Sequence, residues 1–100
     1  MKIIGTGRSH PSLVVTNEML SQILDTSDEW ITSRTGIKER RVISSENLED
    51  LAIDAAKKAL ADANMDAKDL DYIICANVVN EFVSPAMSCL IQGAIGATCP

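Results

Sequence analysis

The stretch DTSDEWITSRTGIKER, Asp25–Arg40, holds a helix start, the chain's only tryptophan, an arginine four residues beyond it and a glycine stop. Thr26 and Glu29 have the T-x-x-E spacing of a capping box, and Asp28 and Glu29 place carboxylates in the first turn, where the helix dipole favours anions. Gly36 stands where such a helix would end. The spacing therefore predicts a helix over Ser27 to Arg34 of about two turns, too short to persist in water unless tertiary contacts pin it.

Around this helix the chain alternates strand-like and helix-like patterns. Lys2 to Gly5 reads as a short buried strand that ends at Gly5-Thr6-Gly7. The GTG does not begin a dinucleotide loop, because the third glycine of G-x-G-x-x-G would fall on His10, with Pro11 after it. A short helical segment runs from Thr16 or Asn17, either of which can cap it, to Leu24. Ile37 to Ile43 is partly alternating and charged, as expected of an edge strand or extended loop.

Asn47 caps the longest predicted helix. Its Leu48, Leu51, Ala52, Ala55, Ala59, Leu60 and Ala63 recur on one face, while Lys57, Lys58 and Asp62 lie on the other. Tyr72-Ile73-Ile74-Cys75-Ala76 is an unbroken apolar run and reads as a central parallel strand, giving a βαβ-type unit. Ser84 is the expected cap of a last helix with Pro85 at its first position, mostly buried and stopping near Gly96. The fold class is α/β.

Composition narrows the functions. In 100 residues the apolar content is 46% and the aromatic content 3%, so a core of Ala, Ile, Leu, Val and Met is expected, with helices close against a sheet. A net charge of −5 gives no reason to expect nucleic acid as a partner. Arg34, Lys38, Arg40 and Arg41 fall within eight positions, so a small anion is a plausible ligand beside the commoner reading of a solvated basic face. Cys75, Cys89 and Cys99 show no metal spacing with one another or with His10, so no metal site is expected. No stretch has the apolar length of a membrane span and none resembles a signal peptide, so the expected compartment is the cytoplasm, with no membrane partner.

Trp30 and Arg34 share one helix face, a turn apart. A flat indole beside a planar cation suits a nucleotide: a base stacks on the ring while the guanidinium takes a phosphate or covers the base's other face. Thr26, at the helix start, is placed to meet an anion or an amide of the same ligand. On spacing alone, a surface-packing pair of Trp and Arg is the commoner arrangement.

The segments GTGRSHPSLVVTNEML, DTSDEWITSRTGIKERRVI, LEDLAIDAAKKALADANM and DYIICANV, in that order, resemble the amino-terminal part of β-ketoacyl-acyl carrier protein synthase III. The resemblance covers essentially the whole chain, and DTSDEWI…RTGI is close to a signature of that family. It implies the amino-terminal part of a thiolase-like αβαβα layered fold, incomplete, with residues 1–100 supplying a segment of its first half. It assigns Trp30 and Arg34, with Thr26 as a weaker member, to binding acyl-CoA at the mouth of a tunnel.

The implied activity is transfer of an acyl starter from acyl-CoA to an active-site cysteine, then condensation with malonyl-acyl carrier protein and loss of carbon dioxide, as bacterial fatty-acid synthesis begins. No covalently bound cofactor is implied, and a homodimer is expected at full length. No catalytic residue is assigned within the chain, because the family's nucleophilic cysteine, its histidine and its asparagine fall beyond Pro100; this chain alone is expected to be inactive. Cys99 aligns with a Cys-Pro that precedes the nucleophile, and Pro100 would spoil a helix start that depresses a thiol pKa. Cys75 and Cys89 read as small core residues.

The loop Asn80–Pro85 departs from the family, with Ser84 where a bulky apolar residue is usual and Phe82 displaced by two, so no acyl preference is carried over. Two rivals stand beside the leading reading. One is another acyltransferase of the thiolase superfamily, of the polyketide or hydroxymethylglutaryl-CoA type; the other is a non-catalytic truncated module.

Overall fold

In the computed structural model, residues 1–78 and 84–99 are described. They form two compact units, one made of Met1–Ser9 with the chain from Glu46 onward, the other of His10–Ser45.

The second unit is a hairpin carrying two short helices. Strand β1, Leu13–Thr16, pairs antiparallel with β2, Glu39–Val42, in the register Leu13 opposite Val42 and Thr16 opposite Glu39. The β2 strand is the edge strand expected over Ile37 to Ile43; β1 was not foreseen, although its Leu-Val-Val-Thr composition suits a pleated surface. Helix α1, Asn17–Ser21, is capped by Thr16, whose side-chain oxygen accepts from the Met19 amide. Helix α2, Asp28–Thr35, follows and ends at Gly36, which takes a left-handed φ of 73° and donates its amide to the Thr32 carbonyl at 2.8 Å.

The cap of α2 differs from expectation by one residue. Ser27 and not Thr26 takes the capping position, and its hydroxyl accepts the Trp30 amide at 3.1 Å. Both residues carry a hydroxyl at the helix start, but Ser27, extended at φ −144°, is the residue whose carbonyl accepts the first helical bond, from Ile31, and its hydroxyl faces the free Trp30 amide. Thr26 donates its own amide to the Leu24 carbonyl at 2.9 Å and closes the preceding turn.

The first unit is organised around α3, Leu48–Ala63, capped by Asn47 through the Asp50 amide at 2.9 Å. Asn64, in the left-handed region at φ 51°, ends it. A single 3₁₀ turn, Ala67–Asp69, leads on, and α4, Met87–Ile95, packs on α3 and ends at Gly96 with φ 76°. Gly5 and Gly7 explain how the amino-terminal segment meets α3. A Cβ on Gly5 would stand 2.8 Å from the Ala59 carbonyl oxygen, and one on Gly7 would stand 2.4 Å from the Ala55 carbonyl oxygen and the Ala59 nitrogen. The GTG serves close packing of backbone on an alanine-rich helix face.

Three expectations are corrected here. Lys2–Gly5 forms no strand and Ile3 is 75% exposed; Tyr72–Ala76 forms none either, and Ile74 is 84% exposed. A strand needs a hydrogen-bonded neighbour, and no ladder forms at either run among the described residues, so the expected parallel βαβ unit is not completed by them. The Thr6 amide goes instead to the Asp62 carboxylate on α3 at 2.9 Å.

The last helix begins later than expected. Ala86 is its N-cap and makes no side-chain capping bond, which leaves Ser84 and Pro85 outside the helix and Ser84 too far upstream to reach its amides. Its burial is one-sided: Met87 and Ile91, four residues apart, are buried, whereas Cys89 is exposed and so is not a core residue. Cys75 is half-buried and Cys99 buried. Phe82 and the rest of Val79–Val83, and Pro100, lie outside the described residues.

Candidate functional site

Helix α2 presents the pair singled out in the sequence. The Arg34 guanidinium carbon lies 4.8 Å from the centroid of the Trp30 ring, within cation–π range, and the indole remains 54% exposed. Local geometry accounts for this: the Ser27 cap fixes the first turn, the residues are one turn apart, and the basic Arg34 sits in the last turn near the carbonyl end of the helix. The result is a flat, cationic, half-open surface.

Thr26 sits beside this surface. Together with Leu20, Leu24, Asp25, Ser27, Trp30 and Ile31 it lines a concavity of about 700 Å³. Arg34 does not line that concavity, so the structure joins Trp30 to Thr26 on one side and to Arg34 on the other. The Thr26 hydroxyl oxygen is shielded from solvent and has no hydrogen-bond partner among the described residues. A hydroxyl left unpaired in this way costs free energy that a rotamer change toward a polar ligand atom would recover. The concavity wall of Leu20, Leu24 and Ile31 suits the uncharged part of a ligand, and the Asp25 carboxylate beside it disfavours phosphate there.

What holds so short a helix was missed in the sequence: Asn17, 1% exposed. Its Nδ2 donates to Asp28 Oδ1 at 2.8 Å and to the Ile37 carbonyl at 2.7 Å, with Thr32 Oγ1 at 3.3 Å. Its Oδ1 accepts from Arg40 Nη2 at 2.5 Å, and Arg40 Nη1 reaches the Val15 carbonyl at 3.2 Å. Thr32 Oγ1 closes the ring by donating to Asp28 Oδ1 at 3.1 Å. The guanidinium on one side and two acceptors on the other fix the orientation of the amide. Asn17 is thus a tie between α1, α2 and β2.

The basic cluster divides accordingly. Arg40 is committed to the Asn17 network and Arg41 donates to the Pro11 carbonyl at 3.4 Å, so neither is a simple solvated charge. Arg34 keeps its charge at the indole. Among the described residues no three His, Cys, Asp or Glu side chains cluster as metal ligands, and no helix is long and apolar enough to cross a membrane.

No protein-family model matches the chain. Individual proteins match it closely. The β-ketoacyl-[acyl-carrier-protein] synthase III of Clostridium acetobutylicum is 48% identical over 97 residues, which is 97% of this chain and 30% of that protein. The crystal structure of 3-oxoacyl-[acyl-carrier-protein] synthase III from Aquifex aeolicus superposes with a TM-score of 0.89 at 48% identity, over 97% of this chain and 32% of that one. The priming β-ketosynthase of the R1128 polyketide pathway gives 0.87 at 28% identity, over 96% and 30%.

The architecture is therefore part of a thiolase-like α/β fold. More particularly, the chain resembles the amino-terminal portion of β-ketoacyl-acyl carrier protein synthase III, and it spans about 30% of the length of the curated relatives it matches.

Proposed function

We propose that the full-length protein is a β-ketoacyl-acyl carrier protein synthase III. Its cysteine, outside this chain, attacks the thioester carbonyl of an acyl-CoA, the carbon–sulfur bond to coenzyme A breaks and the acyl group is held as an enzyme thioester. Malonyl-acyl carrier protein then loses carbon dioxide, and the resulting carbanion attacks that thioester, returning the cysteine and releasing a β-ketoacyl carrier protein. The chain by itself, lacking the nucleophile, is inactive. The working enzyme is a cytoplasmic homodimer whose partners are acyl-CoA and malonyl-acyl carrier protein.

In this reading Trp30 and Arg34 bind the nucleotide end of coenzyme A, the base stacking on indole or guanidinium and a phosphate pairing with Arg34. Thr26 supports them as a hydrogen-bonding member, and the ligand's uncharged arm runs along Leu20, Leu24 and Ile31. The observation that carries the reading is the stacked, half-exposed Trp30–Arg34 pair within a chain that matches synthase III relatives along nearly its whole length. Replacing both residues by alanine in the full-length protein is expected to lower kcat/KM for the acyl-CoA about 100-fold, one stacking contact and one charge-assisted contact being lost. An unchanged kcat/KM in the double variant refutes it.

The match to a polyketide priming β-ketosynthase favours a second reading, in which the same chemistry starts from a different acyl group. Acyl transfer measured with acetyl-, branched- and longer-chain CoA thioesters separates the two: preference for acetyl-CoA with condensation onto malonyl-acyl carrier protein supports the first, and preference for a branched or longer acyl-CoA supports the second.

A further inference from the structure

We propose that Asn17 is the positioning residue for the Trp30–Arg34 pair: by holding α2 it sets the angle at which the indole and guanidinium meet the nucleotide. The proposal rests on the nucleotide reading of that pair given above.

Helix α2 has eight residues, none of them buried, so it has almost no apolar packing of its own to fix it. Asn17 supplies what is lacking. Its Nδ2 hydrogens go to Asp28, in the first turn of α2, and to the Ile37 carbonyl just beyond the Gly36 stop, so one side chain grips the helix at both ends. Thr32, one turn after Asp28, adds its hydroxyl to the same network. Arg40 Nη2 on Asn17 Oδ1 and Arg40 Nη1 on the Val15 carbonyl anchor the amide to both strands of the hairpin. The backbone adds Asn17 N–H on the Lys38 carbonyl at 3.2 Å.

Trp30 and Arg34 lie between the points so held: Trp30 is two residues after Asp28, and Arg34 is three before Ile37. A buried amide with partners on every polar atom holds one geometry, and truncating it takes a hydrogen bond from the Asp28 carboxylate, the Ile37 carbonyl and the Arg40 guanidinium, leaving only Thr32 on Asp28 and the Val15 carbonyl on Arg40. Stacking on a base needs that orientation, so the loss reaches the ligand without removing a ligand contact.

The test uses the full-length protein, with coenzyme A binding measured by calorimetry and amide exchange measured across Asp28–Thr35. Asn17→Ala is expected to weaken coenzyme A about tenfold and to speed exchange in α2 by about the same factor, as loss of a buried network of this size implies, with α3 amides unchanged. The reciprocal swap, Asn17→Asp with Asp28→Asn, keeps an acceptor for Arg40 and restores an amide–carboxylate bond with the roles exchanged. The Ile37 carbonyl loses its donor in the swap, so only the Asp28 end of the grip returns, and both readouts are expected to recover in part and together.

Coenzyme A affinity unchanged in Asn17→Ala overturns the proposal. So does a swap that restores slow exchange in α2 without restoring affinity. Failure of the underlying nucleotide reading has a different signature: the Trp30 and Arg34 alanine variants bind coenzyme A as the unsubstituted protein does, while exchange in α2 still responds to Asn17→Ala.

Discussion

The two units of this chain are held by different physics. The unit His10–Ser45 has short elements and exposed apolar side chains such as Leu24 and Trp30, yet the hydroxyls, amides and guanidinium of Thr16, Asn17, Ser27 and Arg40 tie its strands and helices together. The unit built on α3 relies instead on close contact of small residues, Gly5 and Gly7 on Ala55, Ala59 and Ala63, and leaves the apolar runs at Ile3-Ile4 and Tyr72–Ile74 without ladders. Directional bonds satisfied within a few dozen residues hold a local structure, whereas apolar strands need neighbours to cover them. The candidate site sits in the unit that supplies its own support.

Glycine substitutions sharpen that contrast most. Gly7→Ala drives a methyl group into the α3 backbone, with no flexible side chain to yield, and is expected to destabilise the protein by about 3 kcal/mol in urea unfolding. Gly36→Ala has open space around its new Cβ and is penalised only for a left-handed φ of 73°, at a cost of about 1 kcal/mol. Equal losses at the two positions would show that packing on α3 is looser than the glycine contacts imply, and the distinction between the units would fail.

Legibility from sequence follows the same division. Asn47 before α3, Gly36 after α2 and the Trp30–Arg34 face all depend on residues within one turn of each other, and each is readable from spacing. The strands expected at Lys2–Gly5 and Tyr72–Ala76 would need hydrogen-bonded neighbours distant in sequence; composition shows that the runs are apolar, not that they are paired. Asn17 escaped for a related reason. Its partners are at positions 28, 32, 37 and 40, and nothing local marks an asparagine after Thr16 as more than a possible helix cap. Resemblance to synthase III singles out the Trp30–Arg34 face as a candidate site, but it does not supply the support beneath it.

A smaller effect separates the two hydroxyls at the start of α2. Ser27→Ala removes the bond to the Trp30 amide and is expected to cost about 1 kcal/mol, most of it seen as faster exchange in the first turn of α2. Thr26→Val keeps the shape and deletes a shielded hydroxyl that has no partner among the described residues, so stability is expected to hold or rise slightly. A larger loss at Thr26 than at Ser27 would reverse the assignment of the cap.

The least effect is expected on the solvent-facing side of α3, where charge and not burial is at issue. The Lys58 ammonium lies 2.8 Å from Asp54 Oδ2 one turn before it, and hydrogen bonds from Lys58 first and Ser9 second hold the Asp54 carboxyl below its ordinary value. Because the folded-state pKa is the lower one, folding favours the ionised form. The contribution is present above the unfolded carboxylate range near pH 4 and is lost as pH falls through the folded pKa. Both groups are well exposed, so water and salt screen most of the attraction. Asp54→Asn is therefore expected to lower the melting midpoint only slightly at pH 7, less in high salt, and not at all once the pH is below the folded pKa. A large salt-insensitive loss at pH 7 would place Asp54 among the fixed polar ties that distinguish the other unit.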